Sequence, residues 1–243
     1  MNLRLGYAVS SKSKSTKDLI NKLKYILKYQ DDVIELSLTR ESKMQHSYNS
    51  KLIKLINKFS YRSIHAPVLD INLEKVKYPS KRGKILLDRI DEIVKKVNPE
   101  VLLFHPDTVT DFTWLYKRYG NLIAFENMDK EKDFGKTVKD LEIVFKKCPK
   151  AKWVFDLNHI YTNDKSMRST GKFYTSFSNR LCHYHLSSFG GFHDCFCHTH
   201  EDIIFEGLTD FSKPVVHEGG VIEKELIKEE SEYIKKYLVE NSR

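Results

Sequence analysis

Residues 101–126 read VLLFHPDTVTDFTWLYKRYGNLIAFE. The apolar run Val101-Leu102-Leu103-Phe104 ends in His105, and a second run, Leu122-Ile123-Ala124-Phe125, ends in Glu126. Between them, residues 112–118 form a short amphipathic stretch. Buried strands rich in branched and aromatic residues, joined by helical segments, are the pattern of a parallel sheet with crossover helices.

The alternation continues in both directions. Strands are predicted at 3–9, 33–38, 61–65, 101–105, 122–126, 153–156, 181–186 and 214–217. Helices are predicted at 16–29, 49–59, 81–97, 112–118, 137–147, 171–179 and 223–239. In the first helix Leu19, Ile20, Leu23, Ile26 and Leu27 recur at three- and four-residue steps, with Ser15 and Thr16 placed to cap it. Only the link between the seventh and eighth strands lacks a long helix, and it is a His- and Cys-rich loop instead. Eight such strands in 243 residues predict a closed (β/α)₈ TIM barrel that forms one domain across residues 1–243. A doubly wound open sheet is the competing arrangement.

Composition narrows the function classes. Forty per cent hydrophobic and 30% charged residues fit a soluble globular protein. No apolar run reaches the roughly 20 residues of a membrane span, and the start Met1-Asn2-Leu3-Arg4-Leu5-Gly6 reads as a strand, so a cytoplasmic protein without a membrane partner is expected. Four cysteines, Cys148, Cys182, Cys195 and Cys197, make no disulfide framework in a chain this long. The net charge is +8, and residues 1–100 carry 21 Lys and Arg against 11 Asp and Glu. Such a half suits either a phosphate-rich partner or the solvated exterior of a barrel. After the first strand, Val9-Ser10-Ser11-Lys12-Ser13 has no glycine-rich phosphate loop, which argues against a nucleotide cofactor bound by such a loop.

Metal-binding residue types gather at the strand ends. His65, His105, Glu126 and Asp156 close the third to sixth strands, His185 lies near the end of the seventh, and Glu218 follows the eighth. His159 stands one helical turn after Asp156, and His198 and His200 lie in the loop after the seventh strand. In a barrel these ends converge on one face. Three carboxylates brought together there repel one another unless cations lie between them, and His with carboxylate suits zinc, manganese or iron. Glu35, between apolar neighbours on the second strand, is a candidate supporting group or a packing residue. Cys195 and Cys197, beside the His198-Thr199-His200 pair, either add thiolate ligands or belong to a loop in which only the histidines bind.

The ordered series Ile64-His65-Ala66-Pro67, Phe104-His105-Pro106, Phe125-Glu126-Asn127, Phe155-Asp156-Leu157-Asn158-His159, His185-Leu186-Ser187-Ser188, His198-Thr199-His200 and His217-Glu218 resembles the endonuclease IV branch of the xylose isomerase-like TIM barrels. The resemblance runs from the third strand to the last. It implies up to three zinc ions, or manganese or iron in their place. His65 and His105 would hold one, bridged by Glu126 to a second that Asp156, His185 and Glu218 complete; His159, His198 and His200 would hold the third. His198 stands where the family usually has Asp, and Val68 stands where it usually has a DNA-wedging aromatic.

Two enzymatic readings follow. A metal-dependent phosphodiesterase, with abasic DNA as one candidate substrate, would use Glu126 to position the nucleophile. A sugar or sugar-phosphate isomerase or epimerase would use Glu126 and Glu218 as an acid/base pair around one metal held by those two residues, Asp156 and His185. His65, His105 and His200 favour the hydrolase, since one ion does not need them. A barrel that binds metal and ligand without turnover is a third reading.

Overall fold

The computed structural model describes residues 3–10, 16–29, 33–45, 48–219 and 224–241. Ser15, His46 and Glu223 lie outside the described residues. Strands β1 (Leu5–Val9), β2 (Val33–Ser37), β3 (Tyr61–His65), β4 (Val101–Phe104), β5 (Ile123–Glu126), β6 (Lys152–Asp156), β7 (Leu181–Leu186) and β8 (Val215–His217) pair in parallel in sequence order, and β8 closes on β1. The open doubly wound sheet is thereby excluded. Every predicted strand is present, with ends within two residues.

Helices α1 (Thr16–Tyr29), α2 (Ser50–Ile56), α3 (Lys81–Val97), α4 (Phe112–Tyr119), α5 (Val138–Lys147), α6 (Leu157–Asn163), α7 (Thr170–Phe177), α8 (Phe196–Thr199) and α9 (Lys224–Asn241) follow the strands. Their starts obey local chemistry. Asn49 accepts a hydrogen bond from the Leu52 amide, and Thr137 and Asp140 form a reciprocal capping box. α6 was not predicted as a helix; Asp156 starts it by accepting from the His159 amide at 2.7 Å. Between β7 and β8 only the four-residue α8 and a 3₁₀ segment, Asp202–Gly207, are helical, as the sequence suggests. Among the described residues no helix is long and apolar enough to cross a membrane.

Alternation along the strands positions the site. Leu102, Phe104, Phe125, Trp153 and Phe155 join the large core between sheet and helices, while Val101, Leu103, Ala124 and Val154 form a separate small cluster. This second cluster is the barrel interior. Two residues further along the same face come His105, Glu126 and Asp156. On β8 Val215 belongs to the outer core, which sends Glu218 inward and His217 outward. The β6–β7 pairing shifts register between Trp153 and Val154, which face Leu181 and His183 respectively.

A candidate metal centre at the barrel mouth

His185 is the pivot of the cluster. Its Nε2 lies 3.2 Å from Glu35 Oε2, which also accepts from Ser63 Oγ at 2.7 Å. An Nε2–H given to Glu35 leaves the Nδ1 lone pair facing Glu126 Oε2 at 3.0 Å, Glu218 Oε2 at 3.2 Å and Asp156 Oδ2 at 3.9 Å. A lone pair set against three carboxylates is repulsive unless a second proton or a cation lies between them. Glu35, wholly buried, thus fixes the tautomer that turns a nitrogen lone pair into the cluster.

The other histidines are oriented in the same way. His65 Nδ1 donates to the Ala66 carbonyl at 2.9 Å, turning its Nε2 toward His105 Nε2 at 3.0 Å. His105 Nε2 in turn lies 2.8 Å from Glu126 Oε1. His159 Nδ1 donates to the Asn127 carbonyl at 2.8 Å, leaving its Nε2 free near Asp129 Oδ2 at 3.8 Å. Both Glu126 oxygens, Asp156 Oδ2 and His185 Nδ1 are buried without an aligned hydrogen-bond partner, although nitrogens approach Glu126 closely. Converging, mutually unsatisfied nitrogen and oxygen donors are what a divalent cation requires. The donor set fits: one group is His65, His105 and Glu126, and the adjoining one is Glu126, Asp156 and His185.

Charge arithmetic agrees. Burial pushes the Asp156 carboxyl up to about 7, helped by the Glu126 and Glu218 charges. Burial would raise Glu126 too, but His105 and His185 hold it well below the usual carboxylate range. Glu218, also opposed by burial, is drawn down to about 2 by His185. His185 and His159 are raised against their burial, His185 chiefly by Glu218 and Glu35, His159 by Asp156 and Glu126. Protons on Asp156 and on these imidazoles do electrically what a cation would do, so metal and protons compete. Zinc affinity is therefore expected to fall as pH drops below about 7, each bound ion releasing protons. Calorimetric titration in buffers of different ionisation enthalpy measures that release; equal affinity at about pH 8 and pH 6 would refute the competition.

Two predicted ligands are not brought in. His198 is exposed, its side chain 52% accessible, with Nδ1 3.6 Å from Asp194 Oδ1. His200 caps α8 with left-handed backbone (φ 55°) and lies 3.0 Å from the Tyr233 hydroxyl, also at the surface. The expectation that both join His159 is corrected by the loop that precedes them. Gly190 and Gly191 adopt positive φ, Ser188 pairs with Asp194, and Asn158 Nδ2 donates to the carbonyls of Ser188 and Phe192 at 2.9 and 3.1 Å. That hairpin folds His193 back over the mouth instead. Its Nδ1 meets Ser187 Oγ at 2.7 Å, and its ring centre lies 5.7 Å from that of His159. Burial pushes its imidazole down to about 4, so it is neutral and able to donate a lone pair. Its signal in the sequence was the Gly-Gly turn, which the more conspicuous His-x-His spacing obscured.

The cysteines take another role. Cys195 lies with His217 and Glu230 on the outer side of β8. There the Gly219 amide donates to His217 Nδ1 at 2.9 Å, which leaves Nε2–H to meet Glu230 Oε1 at 2.8 Å. Glu230 also accepts from the Phe196 and Cys197 amides, so this cluster fastens α9 to β8 and α8. Burial raises both thiols, Cys197 to about 12, so neither is a thiolate at neutral pH.

No protein-family model matches the chain, and no curated protein matches it. Solved structures do. Endonuclease IV from Thermus thermophilus is 14% identical, with a TM-score of 0.72 over 98% of this chain and 99% of that one. L-Ribulose 3-epimerase is 13% identical, with a TM-score of 0.68 over 99% and 95%. D-Allulose 3-epimerase from Methylomonas sp. is 12% identical, with a TM-score of 0.66 over 97% and 98%. The fold is therefore the (β/α)₈ barrel that these structures share. Within it the overall shape is shared by endonuclease IV and by sugar epimerases alike.

Proposed function

We propose that the chain is a divalent-metal-dependent phosphoester hydrolase resembling endonuclease IV, with abasic DNA as one candidate substrate. The supporting observation is the His65–His105 pair, whose Nε2 atoms lie 3.0 Å apart beside Glu126. It adds a second ligand group to the one formed by Glu126, Asp156, His185 and Glu218, and a one-metal isomerase has no use for it. His65, His105 and Glu126 would hold one ion, and Glu126, Asp156, His185 and Glu218 a second; His159 and His193, in place of His198 and His200, would supply two ligands to a third. Bound divalent ions supply an activated water and neutralise charge on the phosphate and the leaving oxygen. Glu126, between His105 and His185, would accept a hydrogen bond from the attacking water and orient it. Glu35 and the Asn127 carbonyl keep His185 and His159 in their ligand tautomers.

A sugar isomerase or epimerase is the second reading, favoured by the way Glu126 and Glu218 face the same His185 nitrogen at 3.0 and 3.2 Å, as an acid/base pair would. Elemental analysis of protein purified without chelators separates the two. About three equivalents of metal per chain, with cleavage of an abasic-site duplex, are expected of the hydrolase. One equivalent, with turnover of a ketose or its phosphate and an intact duplex, would overturn it.

A further inference from the structure

Glu218 also lines a cavity of about 190 Å³ at the barrel mouth, beside the ends of β1 and β2 and against α1. Its walls carry Tyr7, Ser10, Lys22, Ser37 and Lys43 as well. Lys22 reaches from α1 to donate to the Ser10 carbonyl at 3.0 Å, and its carboxylate contact, Asp18, is loose at 3.8 Å. Lys43 donates to Thr39 Oγ1 at 3.0 Å and makes no ion pair among the described residues. Burial and the nearby Arg40 and Lys22 charges pull the Lys43 ammonium below its ordinary range, only partly offset by Glu218. The Glu218 carboxylate is itself already engaged by His185.

Two ammonium groups thus share a half-enclosed cavity whose one carboxylate among the described lining residues, Glu218, is already engaged by His185. Such crowding costs free energy unless an anion completes it. The volume lies below the roughly 300–1,000 Å³ of complete small-molecule sites, so it is a compartment for one group of a ligand. The lysines, together with the Ser10 and Ser37 hydroxyls, suit a tetrahedral, doubly charged oxyanion with several acceptor oxygens.

We propose that this cavity is a phosphate subsite, in which Lys22 and Lys43 hold the phosphate of a small phosphorylated substrate while its reacting end lies at Glu218. The proposal rests on the proposed metal centre for the reacting end alone, whichever of the two reactions runs there; anion binding in the cavity stands apart from it. Half-enclosure favours a phosphate monoester on a small molecule over the continuous backbone of a duplex.

The test is calorimetric titration of inorganic phosphate, ribose 5-phosphate and ribose into the chelator-treated full chain at low ionic strength. Phosphate and ribose 5-phosphate bind and ribose does not. Lys43→Gln and Lys22→Gln each weaken phosphate about tenfold or more, as expected for loss of a charge-assisted contact. Lys43→Arg, which keeps the charge, retains most of the binding and guards against a folding artefact, and the exposed Lys58→Gln changes nothing. Unchanged phosphate affinity in both glutamine variants, or no binding without metal, overturns the subsite. Competition by an abasic duplex that depends equally on Lys22 and Lys43 overturns the small-molecule assignment. Zinc uptake, after zinc is returned to the same samples, is read separately: lysine-dependent phosphate binding by a chain that takes up no metal sinks the metal-centre reading and leaves the subsite standing.

Discussion

Glu126→Gln is expected to lower phosphodiester cleavage by on the order of 10³-fold or more and to reduce the bound metal, with the fold intact. The side chain keeps its shape and loses its charge, and no other described carboxylate sits so centrally. It lies 2.8 Å from His105, 3.0 Å from His185, 3.9 Å from His65 and 4.0 Å from His159. Removing that charge takes the shared ligand away from both metal groups at once. Because His105 and His185 hold the Glu126 charge in place against its repulsion with Asp156 and Glu218, the unloaded variant should melt below the parent while keeping its circular dichroism. Activity, metal content and circular dichroism on one preparation test each part. Cleavage at most of the parental rate would remove Glu126 from its assigned role.

Stripping the metal is expected to cost the protein about 8–16 °C in melting temperature. A ligand present at about a thousand times its dissociation constant stabilises the folded state by about 4 kcal/mol, and each kcal/mol moves a domain of this size by about 2–4 °C. The effect is largest above about pH 7, where Asp156 no longer takes up a proton in the ion's place and its charge repels those of Glu126 and Glu218 at close range. Differential scanning calorimetry with chelator, and again after zinc is restored, measures the difference. A melting temperature indifferent to both treatments would show that the cluster is held by protons alone.

The barrel was legible in the sequence because most of its strands are short apolar runs, and all but the seventh lead into a segment of helical period. The strand-end residues were legible for the same reason. Once Leu103, Ala124 and Val154 face inward, alternation leaves His105, Glu126 and Asp156 no other direction. Loops carry no such rule. His198 and His200 were placed by spacing alone, whereas the positive-φ turn at Gly190 and Gly191 and the anchoring by Asn158 decide which histidine reaches the mouth. The partnership of Glu35 with His185 joins residues 150 positions apart and appears only when β2 and β7 meet across the axis.

The register shift between β6 and β7 has a bearing on which changes of length the gene can carry. Leu181 packs outward, yet Cys182 touches the inner cluster and the next residue, His183, also turns inward to Glu35 at 3.6 Å. Two successive side chains on one side of a strand make Cys182 supernumerary in the ladder. A codon lost there leaves plain alternation, which still sends His183 and His185 to the axis and Tyr184 to the helices. A codon gained between His183 and His185 has no such shelter, because a one-residue slip exchanges the two sides of everything beyond it. The strand is thus forgiving of deletion at its entrance and intolerant of insertion near its exit.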